Sequence, residues 1–263
     1  MQVLDVKLAE REELAAGYCV LHFALPKGVE RLDARAGQFA MLRAQGWGDA
    51  PLLPRPMSIL RGGERPSILI KVVGEGTRRM SEDPMGHGYT MLAPLGRAWA
   101  RPEPGSKVIL VAGGVGIAPL LLLAQELAET AEVAVQSIYG GRSARDLPLA
   151  NRLAEVSELN VTTEDGSRGM TGRVTDRLAQ LLEQPSANTK IYTCGPHAMM
   201  AAVAAMAAKA GVPCDASLEA PMGCGYGVCL GCPVARTDGS YLYTCVEGPC
   251  VDAGAIDWTR GVF

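Results

Sequence analysis

Short apolar stretches separated by proline- and glycine-bearing breaks fill the first hundred residues, predicting strands at 3–7, 18–24, 38–43, 57–60 and 67–73. Strands of that length and spacing suggest a small antiparallel β-barrel. Arg101-Pro102-Glu103-Pro104-Gly105 reads as a linker, and beyond it the period changes. Apolar runs at 108–112, 133–139, 160–163 and 191–193 alternate with segments of helical length and composition at 118–130, 149–156, 174–182 and 197–210. Such alternation predicts a parallel, doubly wound α/β sheet. From residue 211 onward the chain is rich in cysteine and glycine. At 263 residues it is too long for one domain of about 150, so three parts are expected: residues 1–101, 102–211 and 212–263.

Composition narrows the partners. A net charge of −3, from 25 basic and 28 acidic residues, argues against nucleic acid, which demands clustered Lys and Arg. Residues 108–124 carry no charge, yet a membrane-spanning helix needs about 20 apolar residues. Gly113, Gly114, Gly116 and Pro119 interrupt the run, which reads instead as a buried strand, a turn and a helix start. The first residues, MQVLDVKLAEREEL, show no apolar core of a secretion signal. No membrane association and a cytoplasmic location are expected, where the 8 cysteines serve as ligands or free thiols.

The most specific pattern is Cys224, Cys229, Cys232 and Cys245. Gaps of four, two and twelve residues reproduce the plant-type ferredoxin spacing, in which four thiolates hold a [2Fe–2S] cluster. Gly223, Gly225, Gly227 and Gly231 let such a loop wrap tightly and turn backbone N–H groups toward sulfur. A structural zinc site is the competing reading, but its cysteines usually come as closer pairs. Cys19, Cys214 and Cys250 lie outside the spacing and are expected to be small buried hydrophobes.

A second pattern follows the strand at 108–112. Gly113, Gly114 and Gly116 stand at a strand-to-helix turn, where backbone can approach a pyrophosphate and the helix N-terminus supplies donors. Pro119 replaces the third glycine of the usual dinucleotide fingerprint and suits a first helical turn. Cys194-Gly195-Pro196 closes the strand at 191–193, so both loops belong to the carboxyl edge where such sheets bind ligands. Cys194 reads equally as a residue near nicotinamide or a packed thiol. Arg142 and Arg145 follow the second strand, where an arginine accommodates a 2′-phosphate or is merely a solvated charge.

In the first part, Arg55-Pro56-Met57-Ser58 and Gly74-Glu75-Gly76-Thr77 offer an arginine, N–H groups and a hydroxyl to a diphosphate. Each alone is a common loop sequence, but their order before the nucleotide turn and the cysteine loop is informative. Together the four motifs resemble the ferredoxin–NADP reductase superfamily. The tail from Leu218 to Cys232, with Met222-Gly223-Cys224-Gly225, is similar to electron-transfer subunits of NAD-linked (class 1B) dihydroorotate dehydrogenase. So is Glu164-Asp165-Gly166-Ser167 with Gly169, Gly172 and Val174-Thr175-Asp176.

The resemblance implies an FAD-binding barrel, an NAD domain and a C-terminal [2Fe–2S] module. By it Arg55, Pro56, Met57, Ser58, Leu69, Ile70, Lys71, Gly76 and Thr77 hold FAD. It further implies a partner subunit carrying FMN that oxidises dihydroorotate to orotate, with electrons passing through cluster and FAD to NAD+ in a heterotetramer. Lys71 and Pro221 depart from the pattern, each standing where arginine is common, and Cys250 is also unusual. The same three modules serve reductase subunits of hydrogenases, sulfide-oxidising and bifurcating complexes. A nucleotide-sensing protein with structural zinc is a third reading. NADH is the expected nucleotide in preference to NADPH.

Overall fold

The computed structural model describes residues 1–48, 50–130 and 133–260, so the last three residues of the expected third part lie outside the described residues. Its first part contains β1 (Gln2–Glu13), β2 (Tyr18–Ala24), β3 (Phe39–Ala44), β4 (Arg55–Arg61), β5 (Ser67–Lys71), α1 (Glu75–Glu82) and β6 (Gly88–Leu95). The strands close into an antiparallel barrel in the order β1-β2-β5-β4-β3-β6. Period-two alternation drives this closure: Leu4, Val6 and Leu8 of β1, Ile68 and Ile70 of β5, and Met91 and Ala93 of β6 fill the interior.

Two elements depart from the expected pattern. The strand at 67–73 ends at Lys71, and the segment 74–77, expected as a turn, opens helix α1 with Gly74 at its N-cap. β6 was absent from the expected set.

The remaining elements are β7 (Lys107–Gly113), α2 (Ile117–Thr130), β8 (Ala134–Gly141), α3 (Ala150–Ala154), β9 (Glu158–Thr163), β10 (Met170–Thr171), α4 (Val174–Leu181), β11 (Thr189–Cys194), α5 (His197–Ala210), β12 (Cys214–Ser217), β13 (Pro233–Ala235), β14 (Tyr241–Tyr243), α6 (Thr244–Glu247) and β15 (Cys250–Asp252). A seven-stranded sheet runs β10-β9-β8-β7-β11-β12-β15, parallel except for β15 at its edge. Residues 214–217 and 250–252 thus extend the sheet beyond residue 211, past the expected start of the third part. β13 and β14 form a separate hairpin beside the cysteine loop.

Alternation along β7 builds the two faces. Val108, Leu110 and Ala112 pack with α2 and α3 on one side, while Ile109 and Val111 pack with α4 and α5 on the other. The first core continues into the barrel through Tyr18, Val20, Leu60 and Leu69. Each such fully buried side chain contributes about 1.5–3 kcal/mol, so barrel and sheet are joined by packing rather than only by the linker. Polar pins reinforce the seam. Trp99 donates to the Pro119 carbonyl at 3.3 Å, and the Tyr192 hydroxyl donates to that of Ala100 at 2.6 Å. Arg152 donates to both carboxylate oxygens of Glu12 at 2.6 Å.

Candidate functional site

The strand order reverses beside β7, between β8 on one side and β11 on the other, and ligands bind at such a switch point. There the β7–α2 and β11–α5 turns meet with no room to spare. A side chain at Gly116 would overlap the Cys194 carbonyl, and one at Gly113 would come within 2.7 Å of Met199 Sδ and 2.8 Å of Pro196. Gly195, at φ +155°, approaches Gly113 from the other side. Glycine here lets two runs of backbone approach each other closely at the carboxyl edge of the sheet. Cys194 and Gly195 are buried and Pro196 is exposed.

Between this crevice and the barrel lies a cavity of about 400 Å³. The barrel contributes Pro56, Met57, Ser58 and Leu69; the sheet contributes Val115, Gly116 and Cys194; the segment leading to the cysteine loop contributes Glu219, Ala220 and Met222. Most of these walls are apolar, as a planar ring system requires for water exclusion. Burial pushes the Cys194 thiol far above its ordinary range, so it stays protonated: both a packed thiol and part of the cavity wall. Burial also raises the Glu219 carboxyl.

Beside the cavity, Arg55 faces Gly76. The Arg55 Nε is buried without a partner, and a methyl group at Gly76 would sit 2.9 Å from it. An orphaned guanidinium donor held against a side-chain-free helix N-terminus fits a diphosphate. The Thr77 hydroxyl is differently engaged: it accepts from Val73 and Gly74 amides and donates to the Gly74 carbonyl, capping α1. Among the strand residues, Leu69 reaches the cavity while the Ile70 side chain belongs to the barrel interior. Lys71 points away from the barrel and pairs with Asp146 of the sheet domain at 3.1 Å. Arg142 and Arg145 are exposed beyond β8.

The four motif cysteines come together as two pairs. Cys232 and Cys245 sulfurs lie 3.3 Å apart, and Cys229 is tied to Cys224 through its backbone amide. Amides of Tyr226 and Cys229 point at Cys224 Sγ at 3.5 Å, as does that of Cys245 at Cys232 Sγ. Burial opposes ionisation of Cys224, but these donors outweigh it and the thiol is pushed down to about 6. Gly225 (φ +83°) and Gly227 (φ +91°) turn the loop, and a side chain at Gly225 would strike Met41. Among the described residues no three Cys, His, Asp or Glu groups converge on a single ion. Two sulfur pairs with N–H donors fit a two-iron cluster better than zinc.

Cluster loop and cavity share a wall. Phe39, Ala220 and Met222 line the cavity and also pack with Cys232 and Cys245. Sequence reasoning missed Phe39, for which there is no local signal, and named Met222 only as part of the cysteine motif. Outward from these cysteines, Tyr226, Val228, Leu230 and Val246 are exposed. Cys19, Cys214 and Cys250 are buried as expected, and the Cys250 thiol packs onto Gly37, where any side chain would collide with it.

Fold and site together place the chain among two-domain reductases of ferredoxin–NADP reductase type, here with an iron–sulfur module appended. Residues 110–205 match the oxidoreductase NAD-binding domain, and residues 219–257 match the iron–sulfur cluster binding domain of dihydroorotate dehydrogenase B. A relative from Desulforamulus reducens, a "dihydroorotate dehydrogenase B (NAD(+)), electron transfer subunit", is 36% identical, covering 98% of this chain and 99% of its own. One of the same name from Clostridium acetobutylicum is 37% identical over 82% of this chain and 84% of its own. Among solved structures, a chain of an NADH-dependent reduced ferredoxin–NADP oxidoreductase, described for flavin-based electron bifurcation, superposes with a TM-score of 0.85 at 28% identity, covering 97% of this chain and 90% of that one. The chain belongs to the family of electron-transfer subunits of NAD-linked dihydroorotate dehydrogenase B.

Proposed function

We propose that this chain carries electrons between NAD(H) and an FMN-bearing partner that oxidises dihydroorotate to orotate, within a cytoplasmic heterotetramer. FAD supplies the exchange between two-electron hydride chemistry and the one-electron steps of a [2Fe–2S] cluster. The chain's own residues bind, orient and insulate. Arg55 and the N-terminus of α1 at Gly76 would hold the flavin diphosphate, and Pro56 to Ser58 with Leu69 would flank its ring. The turn at 113–116 and Gly195-Pro196 would present backbone to the nicotinamide dinucleotide. Cys224, Cys229, Cys232 and Cys245 would hold the cluster. No residue here need act as a general acid or base.

The carrying observation is the shared wall: Phe39, Ala220 and Met222 touch both the flavin cavity and the buried cluster cysteines. That adjacency gives electrons a short route from nucleotide to surface. The exposed Tyr226, Val228 and Leu230 over the loop favour contact with the partner over simple shielding, because shielding side chains would be folded inward. The cytoplasmic setting is supported by eight unpaired cysteines. Among the described residues no helix is long and apolar enough to cross a membrane.

A second reading, a reductase subunit of a bifurcating complex, is favoured by the likeness to the ferredoxin–NADP oxidoreductase chain. Reconstitution separates them. The purified chain should reduce artificial dyes with NADH yet leave dihydroorotate untouched, and adding an FMN-bearing dihydroorotate-oxidising subunit should restore NADH formation. Failure of that partner to couple would favour the second reading.

A further inference from the structure

We propose that the Thr244 hydroxyl donates a hydrogen bond to a sulfur of the [2Fe–2S] cluster and holds its reduction potential above what the cysteines alone would give. The inference rests on the reading that Cys224, Cys229, Cys232 and Cys245 hold that cluster.

Thr244 opens the single turn α6, between Tyr243 of β14 and Cys245. Successive helical residues are about 100° apart, so Thr244 and Val246 fall on nearly opposite sides with Cys245 between them. Val246 is exposed and faces outward, whereas Thr244 is 0% exposed and faces into the protein. Backbone bonds tie Thr244 to the ligand loop. Its amide donates to the Cys232 carbonyl at 3.0 Å, and the next amide, of Cys245, points at Cys232 Sγ at 3.5 Å. The Cys232 and Cys245 sulfurs lie 3.3 Å apart, so Thr244 sits beside the buried pair of cysteines.

Its hydroxyl is unclaimed by the chain. Thr244 Oγ1 is buried without a partner among the described residues, against the general rule that buried polar groups are bonded. A threonine near a helix start ordinarily caps backbone amides. Here Glu247 does so, its carboxylate accepting from the Tyr243 amide at 2.9 Å. A hydroxyl hydrogen rotates to suit its acceptor, and a cluster held by Cys232 and Cys245 brings acceptor sulfurs to this corner.

The two cysteine pairs are unequally served by donors. Cys224 Sγ receives the amides of Tyr226 and Cys229, while Cys232 Sγ, in the buried pair, receives one. Reduction adds one electron and breaks no bond in the chain, so a fixed donor favours the reduced form through charge alone. Low local dielectric strengthens each such donor. The buried pair also packs with Phe39, Ala220 and Met222 of the flavin-cavity wall. Thr244 thereby sets the driving force of electron exchange between flavin and cluster without touching a reacting atom of substrate.

The test is potentiometric titration of the anaerobic holoprotein, followed by electron paramagnetic resonance. Thr244→Val keeps the shape and removes the donor; the midpoint should fall by about 59 mV, a tenfold change in a one-electron equilibrium constant. Thr244→Ser restores the donor and should recover most of that shift. Thr162→Val removes another buried, unpartnered hydroxyl, on β9 of the sheet, and should leave the midpoint in place. Thr244→Ala repeats the measurement with a smaller side chain, in case valine disturbs the packing. An unchanged midpoint in Thr244→Val and Thr244→Ala overturns the proposal. So does a fall in Thr244→Ser equal to that in Thr244→Val, or an equal fall in Thr162→Val. Loss of iron from both the valine and alanine variants, with serine retaining it, overturns it too, because the hydroxyl would then serve assembly and not potential. A wild-type chain with no iron–sulfur signal would instead refute the cluster reading beneath it.

Discussion

Adding one methyl group at Gly116 should separate nicotinamide binding from flavin binding. The new Cβ would lie 2.5 Å from the Cys194 carbonyl carbon and 2.7 Å from the Gly195 nitrogen, both backbone atoms. Ordinary carbon–carbon contact is about 3.5 Å, so one of the two turns must move by about 1 Å. Overpacking of this kind costs about 1–3 kcal/mol, and each kcal/mol lowers the melting midpoint of a chain this size by about 2–4 °C. Displacing a binding loop by about 1 Å reduces turnover on the order of a hundredfold. The expected protein therefore keeps FAD and iron, melts several degrees lower and loses most NADH-dependent dye reduction. Gly28→Ala, in the barrel, is the control. Its φ of +87° makes alanine cost about 1–2 kcal/mol, but nothing lies within 4 Å of the new methyl and it is far from either turn in sequence. Wild-type dye reduction and NADH affinity in Gly116→Ala would refute the reasoning.

Arg55→Ala should weaken FAD retention, since a charge-assisted contact to phosphate is worth about 1.5–3 kcal/mol, and undiminished flavin after extensive dialysis would count against it. Cys229→Ser should abolish bound iron and sulfide while FAD stays, whereas Cys214→Ser should leave both; Cys229 is the better choice because, unlike Cys232 and Cys245, it is exposed and does not brace the barrel. Burial pushes the Cys19 thiol up to about 11 and Cys194 further, so iodoacetamide at pH 8 should leave both unmodified in the native protein, as peptide mass mapping would report. Diaphorase assays should show NADH preferred over NADPH; a tenfold preference for NADPH would assign Arg142 and Arg145 to a 2′-phosphate.

What the sequence revealed divides by range of interaction. Cysteine spacing and strand–helix alternation are local patterns: the alternation carried through as a doubly wound sheet, and the spaced cysteines lie in one loop system. Helix α1 escaped because EGTRRMSE has no apolar period, only Gly76 and Met80 being buried. β6 alternates cleanly in burial, but Pro94 within it argues against a central strand; the β3–β6 register shifts between Phe39 and Met41, opposite that proline, which accommodates its missing N–H. The extension of the sheet by β12 and β15 depends on pairing Ser217 with Cys250, thirty-three positions apart, which no composition boundary can show. Lys71 was assigned to flavin by resemblance alone; only the folded chain shows it stacked over Tyr18 and paired with Asp146 of the sheet domain.

The claim that this chain conducts electrons through cysteine-held iron is tested most directly by low-temperature electron paramagnetic resonance of the anaerobically purified chain after reduction. Addition of NADH, or of dithionite to complete reduction, should produce the paramagnetic signal of a singly reduced [2Fe–2S] cluster, absent from the Cys229→Ser protein. A chain that stays silent with both reductants, and binds one zinc instead, would contradict the account.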